Sequence, residues 1–342
     1  MFSNLEKIQT VALVGATGLV GQEFLEILAE HKIKFAKLRL LASEDSAGDW
    51  LEVGDYSAPV EALGSQSFEG VDVAFFSVPV DVTRKFVPKA VEAGALVIDD
   101  SSAYRMIPDV PLVVPEVNGE LLSGFRGKVI ANPNCTVTPL AMALKPLADR
   151  YGLNRVVVST YQSVSGAGKR AYDELAHQTA SLLNGGEEQP AVFAHPIAFN
   201  CLPLVGDIDE EGVAEEERKL QVELKKILGL PDLAVSASAV RVPTFYGHGM
   251  TVNVELQEDF ASIEEIRELM ETFPGIKVLD HPQGHIYPTN RESSGSDSTF
   301  VGRLRRDKSI AAGLNFWVIT DNLRKGAALN VLQCLDVLYR DR

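Results

Sequence analysis

The residue with the clearest chemical potential is Cys135, which lies in the segment 132–136 (NPNCT). An apolar run precedes this segment and a helical pattern follows it, so we predict that the cysteine stands where a helix begins. The helix dipole and the free backbone N–H groups at that position stabilise a thiolate, and the same donors can bind the oxyanion of a tetrahedral adduct. Cys135 is therefore predicted to be a nucleophile, whereas Cys201 and Cys334 are expected to be buried and inert.

A thiol nucleophile needs a partner that handles protons, and His248 is the candidate. It lies in the stretch 241–249, between Gly247 and Gly249, and these small neighbours leave room for a ligand beside the imidazole. A single histidine is as often a structural hydrogen-bonding residue as a base, so both interpretations stay open from the residues alone. The three cysteines lack metal-ligand spacing and the six histidines are scattered along the chain, and we predict that the chain has no metal site.

A glycine-rich turn near the N-terminus, residues 15–21, has the spacing GxxGxxG. It follows a predicted strand, Val11–Val14, and opens a predicted helix, Leu19–Ala29, which is the setting that a dinucleotide-binding loop requires. The glycines let the backbone approach a pyrophosphate, and the helix start offers free N–H groups to the anion. A plain tight turn is the alternative interpretation, and dinucleotide binding is favoured. The predicted cofactor contacts in this loop are Gly15, Thr17, Gly18, Leu19 and Val20.

The choice between NAD and NADP depends on the end of the second predicted strand. A NAD site usually has an acidic residue there to hold the ribose hydroxyls, and this strand tip has none. Ser43 and Ser46, with Arg39 nearby, are instead suited to a 2′-phosphate, so NADP is favoured as the cofactor. Glu44 and Asp45 lie between the two serines and would repel that phosphate, so the use of NAD stays open.

Short apolar runs alternate with helical patterns through the first third of the chain, which predicts a parallel sheet with crossover helices. Later segments favour a mixed α+β arrangement that includes alternating strands with one open face. The predicted strands are Leu38–Leu41, Val73–Val78, Leu96–Ile98, Val129–Ala131, Arg155–Val164, Val235–Val242, Met250–Leu256 and Phe316–Ile319, with Val235–Val242 and Met250–Leu256 taken as antiparallel. The predicted helices are Val82–Ala93, Thr136–Arg150, Lys169–Leu183, Glu215–Leu228 and Asn322–Tyr339.

These elements predict an α/β protein with two domains. The first is a Rossmann-like, doubly wound parallel sheet over residues 1–132, joined by a C-terminal helix at 321–342. The second is an α+β catalytic and dimerisation domain over residues 133–320. The open face of its sheet is suited to a dimer interface.

The composition excludes several classes of protein. A formal net charge of −15 argues against a nucleic-acid surface, which needs clustered Lys and Arg. The basic stretch Arg303–Lys308 is interrupted by Asp307 and is predicted to be a solvated strand end. No apolar run approaches the roughly 20 residues that span a bilayer, and the start lacks a signal-peptide pattern, which predicts a cytoplasmic protein.

Several segments together resemble the aspartate-semialdehyde dehydrogenase family of bacterial type. They are the glycine loop and the stretches 132–136, 161–168, 241–249 and 321–328, and they occur in order over nearly the whole chain. The joint pattern is more specific than any one motif. The resemblance implies NADP-dependent reductive dephosphorylation of L-aspartyl 4-phosphate to L-aspartate 4-semialdehyde, a reversible step towards lysine, methionine and threonine. It also implies a homodimer or a dimer of dimers.

The resemblance also implies roles at the reacting centre. Cys135 would form a thioester, His248 would be the general acid/base, and Gln162 would orient the bound acyl group. Arg241 would bind the substrate α-carboxylate through its guanidinium fork, and Glu216 would meet the substrate amino group. Each of these residues also has a structural interpretation: Glu216, for example, belongs to a charged run that is typical of the wet face of an amphipathic helix.

The remaining roles implied by the resemblance concern phosphate and cofactor. The phosphate-binding residues would be Arg105, Lys219 and Asn134, and further cofactor contacts would come from Ser165, Gly166 and Asn322. The sequence departs from the family at 43–48, where relatives often carry an Arg in a Ser-x-Arg-Ser-x-Gly stretch and this chain has Glu44 and Asp45.

Other functions stay open at this level. One is an N-acetyl-glutamyl-phosphate reductase, a family that tends to have glycine before its cysteine and an aromatic residue after it, where this chain has Asn134 and Thr136. Another is a catalytically silent relative that binds a dinucleotide. The presence of Cys135, Gln162 and His248 argues against the silent relative.

Overall fold

The structure, a computed structural model, describes residues 2–53, 56–187 and 189–340. The chain forms two compact units, one made of Met1–Asn134 with Ala327–Arg342 and the other of Cys135–Gly326. The proposed division of labour between a dinucleotide-binding and a catalytic domain stays a prediction.

The described residues contain strands and helices of ordinary length. The strands are β1 (Thr10–Val14), β2 (Lys37–Ala42), β3 (Trp50–Val53), β4 (Tyr56–Ala62), β5 (Val73–Phe76), β6 (Leu96–Asp99), β7 (Val129–Ala131), β8 (Leu153–Gln162), β9 (Ala234–Arg241), β10 (His248–Leu256), β11 (Ile276–Val278), β12 (Thr299–Asp307) and β13 (Gly313–Thr320). The helices are α1 (Leu19–Glu30), α2 (Val80–Glu92), α3 (Pro115–Asn118), α4 (Val137–Tyr151), α5 (Lys169–Leu183), α6 (Glu215–Leu228), α7 (Ile263–Glu271), α8 (Asn290–Ser293) and α9 (Leu329–Arg340).

The first unit is built on a twisted sheet with the strand order β3-β4-β2-β1-β5-β6-β7 in the described residues. Every pairing in it is parallel except that of β3 with β4. Strand β1 is central, and the chain moves to β2 on one side before it returns to β5 on the other. This reversal is the switch point at which open α/β sheets bind ligands. The predicted Rossmann-like fold class is confirmed.

Side-chain alternation on β1 explains why helices cover both faces of this sheet. Val11 and Leu13 pack into one apolar cluster with residues of α1 and α9. Ala12 and Val14 pack into another cluster with residues of α2. Because successive residues of a strand point to opposite faces, a continuously apolar strand needs a cover on each side.

The second unit is built on a mixed sheet with the order β11-β12-β13-β10-β8-β9 in the described residues. Strand β10 is antiparallel to β8 and to β13, as the sequence predicts. Strand β9 is parallel to β8, so the predicted antiparallel direction of Val235–Val242 was wrong. The connection from β8 to β9 contains α5 and α6, and such a long crossover returns the chain in the same direction. Alternation of apolar residues reports a covered face but not the direction of pairing.

Other expectations met different outcomes. Cys334 is buried as predicted, but Cys201 is exposed, so the expectation that it is buried was wrong. Cys201 lies in the long stretch between α5 and α6, where few residues form regular structure that could cover it. The predicted terminal helix begins later than expected, because a π-helical turn at Arg324–Ala328 precedes α9. The basic stretch Arg303–Lys308 lies at the end of β12, as predicted.

Candidate active site

Three predicted site residues stand in one row across adjacent strands. Gln162 at the end of β8 is in register with Arg241 at the end of β9 and with His248 at the start of β10. Residues directly opposite each other in a sheet project to the same face, so the three side chains are neighbours. All three are buried, with exposed fractions of 6% for Arg241, 1% for Gln162 and 0% for His248. Strand register thus brings together residues that lie far apart in the sequence.

The imidazole of His248 has a defined protonation state. Its Nδ1 accepts a hydrogen bond from the backbone N–H of Ser163 at 3.1 Å. A backbone N–H can only donate, so Nδ1 carries no proton and the neutral ring carries it on Nε2. Burial, aided by the neighbouring Arg241 cation, lowers the pKa of His248 from 6.5 to about 3. The ring is therefore neutral at physiological pH, with a proton-bearing Nε2.

The other ring nitrogen of His248 is available for chemistry. Nε2 is buried and has no hydrogen-bond partner among the described residues. Gly166 lies directly against it, since a Cβ built on that glycine would stand 2.7 Å from Nε2 and 3.2 Å from a guanidinium nitrogen of Arg241. Buried polar atoms are almost always satisfied, so an N–H kept bare beside a glycine is typical of a functional site.

Cys135 lies immediately before α4, whose N-cap is Thr136, as the sequence predicts. Its side chain is half-buried. Gly326 packs against it, because a Cβ on that glycine would come within 3.0 Å of the cysteine Cβ. Burial lowers the pKa of Arg241, while the charges of Glu216 and Cys135 oppose that shift. Cys135 and His248 therefore share Arg241 as an electrostatic neighbour.

Glu216 on α6 reaches the same row from the helical side. Its carboxylate accepts a hydrogen bond from Gln162 Nε2 at 2.9 Å and another from Lys219 Nζ at 3.3 Å. Lys219 also pairs with the more exposed Glu215 at 2.9 Å. Glu217 faces elsewhere, since it caps the N–H of Ala214 and accepts from the N–H of Ala239. Of the three adjacent glutamates, Glu216 therefore lies beside the row of Gln162, Arg241 and His248, which we call the strand-end row.

Asn322 ties together the loops that follow β8 and precede β10. Its Oδ1 accepts hydrogen bonds from the hydroxyls of Ser163 and Ser165, each at 3.2 Å, and from the N–H of Gly247 at 3.0 Å. Its Nδ2 donates to the hydroxyl of Ser165 at 3.0 Å. Asn322 and Ser165 are both buried. Ser163 was not singled out from the sequence, because its contribution comes from the backbone N–H that holds His248.

Two predicted phosphate ligands lie in the first unit. Arg105 is buried, and its guanidinium donates to the backbone oxygens of Asn132 at 2.9 Å and Asp100 at 2.7 Å. Asn134 is also buried, a few residues beyond the end of β7. These contacts hold the Arg105 side chain at the carboxyl end of the sheet. The joint role of Arg105, Asn134 and Lys219 in phosphate binding stays a prediction.

The glycine loop forms the tight turn that the sequence predicts. Gly15 has a φ of +94°, and a Cβ on it would overlap the backbone carbonyl of Ser77. Helix α1 begins directly afterwards at Leu19, with Gly18 as its N-cap. A cavity of about 420 Å³ opens beside this turn. Its lining residues are Val14, Gly15, Thr17, Gly18, Ala42, Ser43, Leu63, Ser77, Val78, Pro79, Val82, Lys85 and Phe86.

The predicted 2′-phosphate residues are only partly at this cavity. Ser43 lines it, whereas Ser46 does not. Leu19 and Val20 form the first turn of α1 and do not line it either. The Arg39 guanidinium pairs with the carboxylate of Glu61 and donates to the carbonyl of Ser67 at 2.7 Å. Arg39 is thus engaged in a contact across β2 and β4, and its proximity to a 2′-phosphate stays a prediction.

Known proteins of one family are similar to this chain in sequence and in fold. A family model for the NAD binding domain of semialdehyde dehydrogenase matches residues 10–124, and one for the dimerisation domain of semialdehyde dehydrogenase matches residues 144–325. An aspartate-semialdehyde dehydrogenase from Aquifex aeolicus is 45% identical over 334 residues, which cover 97% of this chain and 98% of the relative. The chain belongs to the aspartate-semialdehyde dehydrogenase family. The resemblance seen in the sequence is confirmed, and so is the oxidoreductase class.

Solved structures of the family are closely similar in fold. Aspartate semialdehyde dehydrogenase II from Vibrio cholerae, complexed with ASA, has a TM-score of 0.94 at 42% identity and covers 98% of this chain and 99% of its own. An aspartate semialdehyde dehydrogenase with NADP from Candida albicans has a TM-score of 0.74 at 26% identity, covering 97% and 98%. These likenesses support a nicotinamide dinucleotide as cofactor. None of the helices in the described ranges is long and apolar enough to cross a membrane.

Proposed function

We propose that this chain interconverts L-aspartyl 4-phosphate and L-aspartate 4-semialdehyde with NADP(H), through a thioester on Cys135. The names and solved structures of its relatives support the substrate. The observation that carries the mechanism is the bare, proton-bearing Nε2 of His248, buried beside Arg241, whose charge is coupled to that of the thiol. The reaction would serve the synthesis of lysine, methionine and threonine in the cytoplasm.

The thiolate of Cys135 begins the oxidative direction by forming a carbon–sulfur bond to the aldehyde, whose oxygen becomes an alkoxide. The start of α4 and the Arg241 cation stabilise the sulfur anion, so the neutral His248 need not remove the thiol proton at that moment. When bound, the nicotinamide supplies the acceptor for the hydride that leaves this carbon. The carbonyl then re-forms as a thioester on Cys135.

His248 stabilises the tetrahedral oxygen by donating a hydrogen bond from Nε2. The general acid/base role implied by the sequence resemblance therefore takes the form of a fixed N–H donor in the resting enzyme. Because Ser163 occupies Nδ1 and burial keeps the ring neutral, the donor needs no reorganisation when negative charge develops. Preorganised donors of this kind are usually the largest single contribution to such catalysis.

Arg241 and Glu216 are proposed to bind the two charged groups of the substrate. The guanidinium would bind the α-carboxylate in a bidentate manner, and the buried carboxylate of Glu216 would bind the free amino group. Gln162, which already donates to Glu216, would orient the acyl group in the same row. A free amine is thereby favoured over the acylated amine of N-acetyl-glutamyl phosphate, because an acylated amine offers no cation to Glu216.

Phosphate completes the oxidative reaction by attacking the thioester carbon. The carbon–sulfur bond breaks, the thiolate is regenerated, and the phosphate proton is released as the acyl phosphate forms. We assign the binding of this phosphate to Arg105, Asn134 and Lys219. Lys219 pairs with Glu215 and Glu216 in this structure, so an incoming phosphate would take over part of its ion pairing.

The open face of the second sheet is proposed as a homodimer surface. Tyr161 on β8 is 38% exposed, and its ring lies 5.6 Å from that of Trp317 on β13, centroid to centroid. An aromatic pair on a sheet face, with one of its rings exposed, is typical of protein interfaces. The description of the matched family model as a dimerisation domain supports self-association. Further assembly into a dimer of dimers is a prediction that light scattering of the purified protein would test.

A coupled assay with mass spectrometry tests the proposed reaction. The purified protein should reduce NADP⁺ over many turnovers only when both the semialdehyde and phosphate are present, because phosphate releases the acyl group. Without phosphate, a single turnover should leave an aspartyl adduct on Cys135. We expect Cys135→Ala to lose at least about 10⁴-fold in kcat while NADPH still binds. Retained turnover in that variant would refute the thioester. A wild-type protein that binds NADPH but never turns over would instead indicate the silent relative.

A further inference from the structure

The cavity beside the glycine loop has one feature that the sequence motifs do not explain. A 2′-phosphate needs a cation, but Arg39 is engaged with Glu61, and the neighbouring loop carries Glu44 and Asp45. The inference that follows rests on the proposed function, because it concerns which nicotinamide dinucleotide occupies this cavity. Another residue must supply the positive charge if a 2′-phosphate binds here.

Lys85 on α2 lines the same cavity as Ser43. Val82, another lining residue, lies three positions before Lys85 and four before Phe86, and positions three and four apart on a helix are neighbours. The Nζ of Lys85 lies 5.1 Å from the centroid of the Phe86 ring. Contact with the ring face favours the cation energetically and keeps it at the edge of the cavity.

The positive charge near this cavity lies on its wall, whereas the nearby negative charges do not. Lys85 is the charged residue among those that line it in the described part of the chain. Glu44 and Asp45 are exposed and are not among the lining residues. Repulsion between exposed charges weakens with distance and with salt, while a direct ammonium–phosphate contact persists. The local balance at the cavity wall is therefore positive although the loop sequence is acidic.

We propose that Lys85 and the hydroxyl of Ser43 together bind the 2′-phosphate of NADP, so that Lys85 is the residue that selects NADP over NAD. The cation reaches the phosphate from helix α2 and replaces the arginine that relatives often carry on the loop after the second strand. The apolar residues Pro79, Val82 and Phe86 form the wall on which the adenine would lie. Lysine acts as a point charge and not as a planar fork, so the selectivity is moderate.

Binding measurements without substrate test this assignment. The dissociation constants of NADPH, NADH, 2′-AMP and 5′-AMP should be compared in the wild-type protein and in Lys85→Met. We expect NADPH and 2′-AMP to bind about 10- to 100-fold more weakly in the variant, as for the loss of a charged phosphate contact. NADH and 5′-AMP should change by less than about twofold, because neither carries a 2′-phosphate.

Lys89→Met is the matched control. Lys89 lies one turn further along α2, and its Nζ also lies near the Phe86 ring, at 5.0 Å. It donates to the hydroxyl of Ser65 at 2.7 Å and does not line the cavity. This variant loses the same charge from the same helix, so its NADPH affinity should stay at the wild-type value. An equal loss of NADPH affinity in both variants would show that Lys85 acts only through the overall charge of the helix, and would overturn the proposal.

The remaining outcomes are also decisive. Equal weakening of NADPH and NADH in Lys85→Met would show that the lysine supports the cavity without reading the 2′-phosphate, and unchanged NADPH binding would show that it contacts no phosphate. Lys85→Arg should retain the preference for NADPH. Failure of the proposed function looks different: the wild-type protein would discriminate between NADPH and NADH in binding, yet form no thioester with the semialdehyde.

Discussion

The strand-end row and the cavity beside the glycine loop differ in how their charged side chains are shielded from water. In the row, Arg241 and His248 are buried, and each forms a hydrogen bond with the backbone of Ser163. At the cavity, a backbone turn and apolar side chains form most of the wall, and Lys85 is exposed on a helix. A group whose protonation state matters must be shielded from water and held by specific neighbours, whereas a phosphate can be met by an exposed cation.

The largest effect that sharpens this comparison is expected for His248→Gln. Glutamine cannot place an N–H donor at the Nε2 position while also accepting from Ser163, so kcat should fall by about 10²- to 10³-fold, as when one oxyanion donor is removed. The exposed His177 provides the control, and His177→Gln should leave kcat unchanged. NADPH affinity should be unaffected in both variants. A loss below about tenfold would show that burial of the row does not serve catalysis.

Arg241→Lys tests whether the row depends on the shape of the cation. A lysine cannot form the bidentate contact, and burial would lower the pKa of its ammonium, so kcat/KM for the semialdehyde should fall by about 100-fold. Arg218→Lys is the matched control, because Arg218 is a partly exposed arginine that pairs with Asp209 and Glu211. Comparable activity of the two variants would remove the distinction between buried and exposed cations.

The depressed pKa of His248 predicts a stability that depends on pH. The folded pKa is about 3 and the ordinary value is 6.5, so between these pH values the unfolded chain binds a proton that the folded chain does not. Stability is therefore complete above pH 6.5 and is lost as the pH falls, by about 2 kcal/mol at pH 5. Urea unfolding of the wild-type protein and of His248→Gln at pH 7 and pH 5 would measure this. Parallel losses in both proteins would argue against a neutral, buried imidazole.

The smallest expected effect is a difference in KM between variants of two adjacent glutamates. Glu216→Gln should raise KM for the semialdehyde about tenfold, because the substrate ammonium loses a charged acceptor. Glu215→Gln should leave KM within about twofold, since Glu215 is more exposed and its carboxylate pairs with the Lys219 ammonium. Substrate titrations at saturating NADP⁺ give both values. Equal changes would show that helix α6 acts through its total charge.

Much of this molecule could be predicted from local sequence. The glycine loop, the position of Cys135 before a helix and the bounds of α5 and α6 follow from periodicity and turn residues over a few positions. The short strands β3 and β4 were not predicted, because edge strands with mixed polarity lack a clear alternation.

Features that depend on distant pairing escaped prediction. The parallel direction of β9, the ion pair of Arg39 with Glu61 and the exposure of Cys201 each depend on which segment lies alongside another. The tautomer of His248 depends on a backbone donor from the loop after β8, which no side-chain motif encodes. Lys85 was missed for a similar reason, since it lies in an ordinary helical pattern and becomes notable only through its place in the cavity.

The alternation of side chains along β8 separates two kinds of change that this protein can undergo. Gln162 is buried and donates to Glu216, and its neighbour Tyr161 is exposed on the opposite face. If the proposed homodimer surface includes Tyr161, a substitution there should alter self-association and leave the proposed catalytic groups unchanged. A one-residue insertion within the strand would exchange the two faces at once, because the side-chain period of a strand is two. Natural variation in β8 should accordingly consist of replacements at outward positions, with its length held constant.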